Sequence, residues 1–83
     1  MSSELLELEI VSPEKMLFKG RVERVQVPGS LAPFVILYNH APLVSTLSLG
    51  YIKWKTGDSE QMVPVKSGFV EVKSNKVTIC VEQ

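Results

Sequence analysis

The chain of 83 residues holds one cysteine, one histidine, one aspartate and one tryptophan, and its charges cancel. Each shortage removes a class of function. Cys80 alone can form no intramolecular disulfide and no cysteine zinc cluster. His40 alone rules out a two-histidine metal motif, and neither a glycine-rich phosphate loop nor a dinucleotide fingerprint is present. A serine triad would draw on His40, on Asp58 or a glutamate, and on one of several serines. Asp58 lies in a predicted hairpin turn, however, and no nucleophile-elbow sequence surrounds any serine. Nine basic residues balance nine acidic ones, so the basic excess with which nucleic-acid modules neutralise phosphates is missing. Lys53 with Lys55, and Lys19 with Arg21, read as solvated sheet faces. No apolar stretch approaches the ~20 residues that span a bilayer. The start at Met1 is polar and acidic, without the basic and apolar regions of a signal peptide. The expectation is a soluble chain of cytoplasmic type that meets a membrane only through a partner, with no metal, no cofactor and no small-molecule substrate.

What is present belongs to one small globular domain spanning residues 1–83. The composition, 45% hydrophobic and 22% charged, supplies too much apolar surface for disorder. A chain of this size buries roughly 60–65% of its unfolded surface, enough to fold with little stability to spare.

Turn signals fall at short, regular intervals. Leu6, Leu8 and Ile10 alternate with Glu7 and Glu9, and Ser12-Pro13-Glu14-Lys15 ends that run. Met16-Leu17-Phe18 stops at Lys19-Gly20. From Arg21 to Val27 the alternation slips between Val22 and Val25, which predicts a β-bulge or a strand bend. A tight Pro28-Gly29 turn precedes the apolar run Phe34–Tyr38, and a short piece follows around Leu43–Leu47. Ile52 and Trp54 share a face of Tyr51–Lys55, and Thr56-Gly57-Asp58-Ser59 turns that strand into Gln61–Val65 as a hairpin. Ser67-Gly68 separates off Phe69–Lys73, and Ser74-Asn75 turns it into the last strand, where Val77, Ile79 and Val81 oppose Thr78 and Cys80. Eight to ten short strands without a sustained helical period predict an all-β fold, a small β-sandwich or flattened barrel.

Few side chains stand out chemically. Glu7 and Glu9 lie roughly 7 Å apart along one strand face, a spacing that glycosidase carboxylate pairs also show. The plain reading is two wet glutamates on an edge strand, discouraging edge pairing. His40 sits in a bend that Pro42 stiffens, where it bonds its own turn or a partner's rim. Cys80 is a small residue on the second face of the last strand, and Trp54 is core. Phe69 breaks the facial pattern of Val70 and Val72, so it points outward and needs a cover. The residues by themselves describe a β domain without catalytic equipment, a binding module or an assembly subunit.

Taken in order, these pieces resemble the N-terminal β-sandwich domain of the epsilon subunit of bacterial F-type ATP synthases, called delta in mitochondria. The resemblance runs through Leu8-Glu9-Ile10-Val11-Ser12-Pro13-Glu14-Lys15, Phe18-Lys19-Gly20 and Val25-Gln26-Val27-Pro28-Gly29. It is strongest at Phe34–Leu37 and His40-Ala41-Pro42-Leu43, and it closes with Ser67-Gly68-Phe69-Val70-Glu71-Val72 and Asn75-Lys76-Val77-Thr78. It implies a non-catalytic rotor subunit of the central stalk, peripheral on the cytoplasmic side of the bacterial inner membrane. Such a subunit joins gamma to the ring of c subunits and couples proton or sodium flow to ATP synthesis. By position it implies a ring side at Leu31, Pro33, Phe34, Tyr38 and His40. It also implies a gamma side at Ser12, Pro42, Val44, Ser45, Ser67, Gly68 and Phe69.

Two departures from the family pattern matter. Where the family commonly shows Gly-x-Phe-Gly-Ile-Leu-Pro-Gly-His, this chain has Ala32-Pro33-Phe34-Val35-Ile36-Leu37-Tyr38-Asn39-His40. Pro33 replaces a frequent acidic residue, and Val35 and Tyr38 make the segment stiffer and more apolar, so packing is expected to dominate ring docking. The second departure is the C-terminal helical hairpin of most members, which this chain does not carry up to Gln83. A full-length product would then couple rotation without that inhibitory element. Two other classes remain open from the residues alone. One is a free-standing β-sandwich that uses the Phe34–Tyr38 face for a peptide. The other is a hydrolase dependent on His40 or Glu7.

Overall fold

A computed structural model describes residues 4–83; residues 1–3, and with them the first residues of the expected domain, lie outside the described residues. Among the described residues the regular elements are nine strands and no helix. They are β1 (Leu6–Val11), β2 (Met16–Val22), β3 (Arg24–Val27), β4 (Phe34–Ile36) and β5 (Leu43–Leu47), followed by β6 (Gly50–Thr56), β7 (Ser59–Val65), β8 (Ser67–Lys73) and β9 (Lys76–Glu82). A five-stranded sheet in the order β2-β1-β9-β8-β5 faces a four-stranded sheet in the order β4-β3-β6-β7. The expected all-β sandwich of eight to ten strands is therefore what forms.

Alternation dictates the packing. Leu6, Leu8 and Ile10 of β1, Val70 and Val72 of β8, and Val77, Ile79 and Val81 of β9 turn inward from the larger sheet. Val25, Val27, Ile36, Ile52, Trp54 and Val65 meet them from the smaller one. Branched Val and Ile side chains lose little rotamer freedom on a pleated surface, which suits them to such a core. No polar or charged residue is buried among the described residues. At one side the sheets are joined by Phe18 of β2 packing on Trp54, ring centroids 4.7 Å apart and tilted by 42°. At the other, Gly29 forms an antiparallel bridge with Leu47, so the sandwich is partly closed into a flattened barrel.

The turns follow their residues. Gly57 takes φ 60° at the first central position of the β6–β7 hairpin, as a two-residue type II′ turn needs. Ser74 and Asn75 have φ 52° and 62° between β8 and β9, the type I′ pattern.

Several expectations need correction. β1 is not an edge strand: it lies between β2 and β9, pairing parallel to β9 from Glu7↔Lys76 to Val11↔Cys80. Glu7 and Glu9 thus sit inside the sheet's outer face, and Glu9 is held by Lys19 across β2 at 3.8 Å. Edge protection falls to others, because the first and last strands bury each other's backbone groups. Pro28-Gly29 makes no tight turn; Gly29 stays extended enough to bridge Leu47, and the chain reverses over residues 30–33. Ser67 and Gly68 do not separate two strands but open β8, leaving only Lys66 between β7 and β8. The phase slip between Val22 and Val25, by contrast, is as expected a strand bend, at Glu23, where the chain leaves one sheet and enters the other. The run Phe34–Tyr38 stays in a strand only to Ile36, since Tyr38 and Asn39 form a turn.

Candidate functional site

Directly paired residues on neighbouring strands face the same way, so register converts the larger sheet's outer face into rows. Met16, Val11, Cys80, Phe69 and Thr46 form one row across all five strands. The next row is Lys19, Glu9, Thr78, Glu71 and Val44, and the third is Arg21, Glu7, Lys76 and Lys73. One half of the face is apolar and the other is charged. Phe69 is 46% exposed and Val44 is 72% exposed, so two apolar side chains stand in solvent on this face.

A groove of about 330 Å³ runs along the apolar row, with Val11, Ser12 and Pro13 on one bank, Gly68 and Phe69 of β8 on the other, and Cys80, Val81 and Glu82 of β9 between them. Gly68 lies on the β8 bank. A Cβ there would run into the Cys80 carbonyl oxygen, so only glycine lets β8 and β9 approach this closely. Ser12 is fixed by a tight turn: its amide donates to the Lys15 carbonyl at 2.9 Å, and the Lys15 amide donates to its Oγ at 3.3 Å.

The strands also define two ends. At one, which we call the Leu31 end, the segments Ser12–Lys15, Pro28–Pro33 and Ser48–Leu49 gather with Lys66 and Glu82. At the opposite, His40 end lie Glu23, Leu37–Pro42, Gly57-Asp58 and Ser74-Asn75. Leu31 and Leu49 are exposed at the first end, and Phe34 packs partly against the core behind them.

The residues expected on the gamma side converge in part. Ser12, Ser67, Gly68 and Phe69 surround or adjoin the groove, and Val44 lies one strand and one row away. Ser45 has the opposite facing from Val44, is half-buried, and donates its hydroxyl to the Thr46 carbonyl at 3.0 Å. Pro42 stands at the His40 end. The residues expected on the ring side divide as well: Leu31, Pro33 and Phe34 share the Leu31 end, whereas Tyr38 and His40 lie past the other end of β4.

His40 is occupied locally. Its amide donates to the Leu37 carbonyl at 3.1 Å, and Nδ1 lies 2.7 Å from the Ala41 carbonyl. A carbonyl only accepts, so Nδ1 carries the proton. A wider concavity of about 790 Å³ at the same end mixes Arg21, Lys73 and Lys76 with Glu7 and Glu71. Among the described residues no three His, Cys, Asp or Glu side chains gather into a potential metal site.

Sequence reading missed Met16, Val11, Cys80 and Thr46 as members of the apolar row, and Leu49 as a neighbour of the Leu31 loop. Each belongs to a different strand or loop, and only register brings them together.

Comparison with known proteins places this geometry. The family model for the ATP synthase delta/epsilon chain β-sandwich domain matches residues 5–83. The ATP synthase epsilon chain of Leptospira interrogans serovar copenhageni is 46% identical over 79 residues, covering 95% of this chain and 62% of that protein. That of Nitratidesulfovibrio vulgaris is 40% identical over 77 residues, covering 93% and 58%. A chain in the cryo-EM structure of the Euglena gracilis mitochondrial ATP synthase (OSCP, F1 and c-ring) superposes with a TM-score of 0.90 at 16% identity, covering 96% of this chain and 52% of that one. One in the Tetrahymena thermophila central stalk and c-ring gives 0.78 at 19% identity, covering 94% and 63%. At such identities the two structures speak for the fold alone. The present chain spans about three-fifths of the length of the curated relatives it matches. The match over residues 5–83 covers nearly the whole chain, and the chain belongs to the ATP synthase delta/epsilon chain β-sandwich family.

Proposed function

We propose that this domain is a non-catalytic rotor component of the central stalk of an F-type ATP synthase. It binds gamma through the apolar row of the five-stranded sheet and docks on the c-ring through the Leu31 end. In this role it holds gamma and the ring together, so that ion-driven rotation of one turns the other and supports ATP synthesis. It resides with the complex, peripheral to the membrane, on the cytoplasmic side in a bacterium.

The observation that carries the reading is the half-apolar outer face. Phe69, Val44, Met16 and the groove beneath Phe69 form a contiguous surface that a lone soluble domain would leave wet. Its centre is apolar and its rim holds Glu71, Glu9 and Lys19, the anatomy of a protein–protein interface. Family membership supplies the identity of the partner. Within the Leu31 loop, Pro28–Pro33, no side chain is charged, which fits docking of that loop by packing. Of the residues expected on the gamma side, Ser12, Val44, Ser67, Gly68 and Phe69 are assigned here to the gamma interface. Of those expected on the ring side, Leu31, Pro33 and Phe34 are assigned to the ring.

Co-expression with gamma from the same organism tests the reading. A one-to-one complex is expected for the wild type and for Tyr51→Asp, which lies on the other sheet. Phe69→Asp is expected to abolish it and Val44→Asp to weaken it. Failure of the wild type to bind gamma would return the domain to an independent binding module.

A further inference from the structure

We infer that Ser30 and Thr46 are positioning residues that stiffen the Leu31 loop and make it continuous with the apolar face. The inference rests on the central-stalk reading above and names the part of that site which connects its two halves.

Thr46 stands where the two surfaces meet. In β5 it pairs with Phe69 of β8, at the end of the apolar row. Its carbonyl accepts the Ser30 amide at 3.0 Å, and its Oγ1 donates to Ser30 Oγ at 2.8 Å. Beside it, Gly29 bridges Leu47 and the Ser48 amide donates to the Pro28 carbonyl at 2.8 Å. The first three residues of the loop are thus sewn to the end of an edge strand. Leu31, the fully exposed tip, follows directly.

Most of this stitching is backbone and survives any substitution. Among the described residues the hydroxyl pair is the one side-chain hydrogen bond between the loop and β5, and both partners are exposed. Neither hydroxyl is needed to satisfy a buried group, so burial does not account for the pair. Its effect is to fix where Leu31 stands relative to Phe69. A surface ordered before binding loses less freedom on docking. In a rotor it also transmits a lateral push without first being bent. Thr46→Val keeps shape and strand propensity while removing the hydroxyl, so it isolates the link.

The test uses the complex of this chain with gamma, titrated against detergent-solubilised c-ring in a co-sedimentation assay. Thr46→Val and Ser30→Ala are each expected to weaken ring binding about fivefold, the worth of one net hydrogen bond. Affinity for gamma, measured on Ser30→Ala, whose residue lies outside the apolar row, stays within twofold. Thr46→Ser restores ring binding, and the double variant Ser30→Ala/Thr46→Val is no weaker than either single one, as partners in one contact require. Ring binding unchanged by Thr46→Val overturns the positioning role alone. Parallel loss of gamma and ring binding in Ser30→Ala overturns it in favour of a general structural role. A wild-type complex that ignores the ring overturns the docking reading and the positioning role with it.

Discussion

Asn39 and Asn75 hold each other by both amides across the two sheets: the Asn39 backbone N–H donates to Asn75 Oδ1 at 2.6 Å, and Asn75 Nδ2 donates to Asn39 Oδ1 at 3.0 Å. Both residues have left-handed φ, 65° and 62°, a region that asparagine enters more readily than other side-chain-bearing residues. The pair ties the β4–β5 connection to the β8–β9 turn and so fixes the His40 end.

Two substitutions separate the bond from the backbone. Asn75→Gly keeps the left-handed turn but removes the amide, and is expected to cost ~1 kcal/mol. Asn75→Ala adds the strain of a Cβ at positive φ and is expected to cost ~1 kcal/mol more. Urea denaturation of the two variants beside the wild type checks the order; equal stability of both would contradict it.

Trp54 is buried and packs at a tilt on Phe18, yet its Nε1 finds no hydrogen-bond partner among the described residues. A buried unpaired donor costs about 1–3 kcal/mol. Trp54→Phe removes that penalty along with some packing volume, and its net destabilisation is expected to stay below ~1.5 kcal/mol. Trp54→Ala opens a true cavity and is expected to cost ~3–5 kcal/mol. Paired denaturation curves, followed by far-UV circular dichroism because the fluorophore is lost, distinguish the two.

Gly68→Ala places a methyl against the Cys80 carbonyl. Relief requires β8 and β9 to part, so a loss of ~1–3 kcal/mol is expected. Under the proposed role the distortion lies in the lining of the groove, and gamma binding falls further than stability alone explains. Binding measured at a temperature where the variant is fully folded, by calorimetry with gamma, reads this directly.

Between Arg24 and Lys53 no Asp, Glu, Lys or Arg occurs, and this uncharged segment includes the whole Leu31 loop. If that loop docks on the ring, raising potassium chloride from 50 to 500 mM should change the affinity less than twofold, because no ion pair is available to screen. A tenfold loss would place charged residues from elsewhere in the contact.

Part of this molecule was legible from residue order. Alternation in Leu6–Ile10, Ile52–Trp54 and Val77–Val81 named the core correctly, because in a strand the facing of a side chain depends only on parity. Gly57 and Ser74-Asn75 marked their hairpins, because a two-residue turn needs φ values that few residues accept. Phe69 announced itself as outward by breaking parity with Val70 and Val72. The pattern at Phe34–Leu37 and His40–Leu43 pointed to the delta/epsilon β-sandwich family.

What residue order could not reveal was which strands lie side by side. Val11 and its partner Cys80 stand near opposite ends of the chain, and nothing local indicates that β1 pairs parallel to β9 rather than standing at an edge. That pairing moved Glu7 and Glu9 inside the sheet and set Met16, Val11, Cys80 and Phe69 in one row. The division of the ring-side residues between two ends likewise follows from β4, whose pairing with β3 carries Phe34 and Tyr38 apart. Local parity and turn chemistry are written into neighbouring residues, and these the chain specifies by itself. Rows, grooves and the Ser30–Thr46 link depend on long-range register, which the burial of both sheets against one core decides.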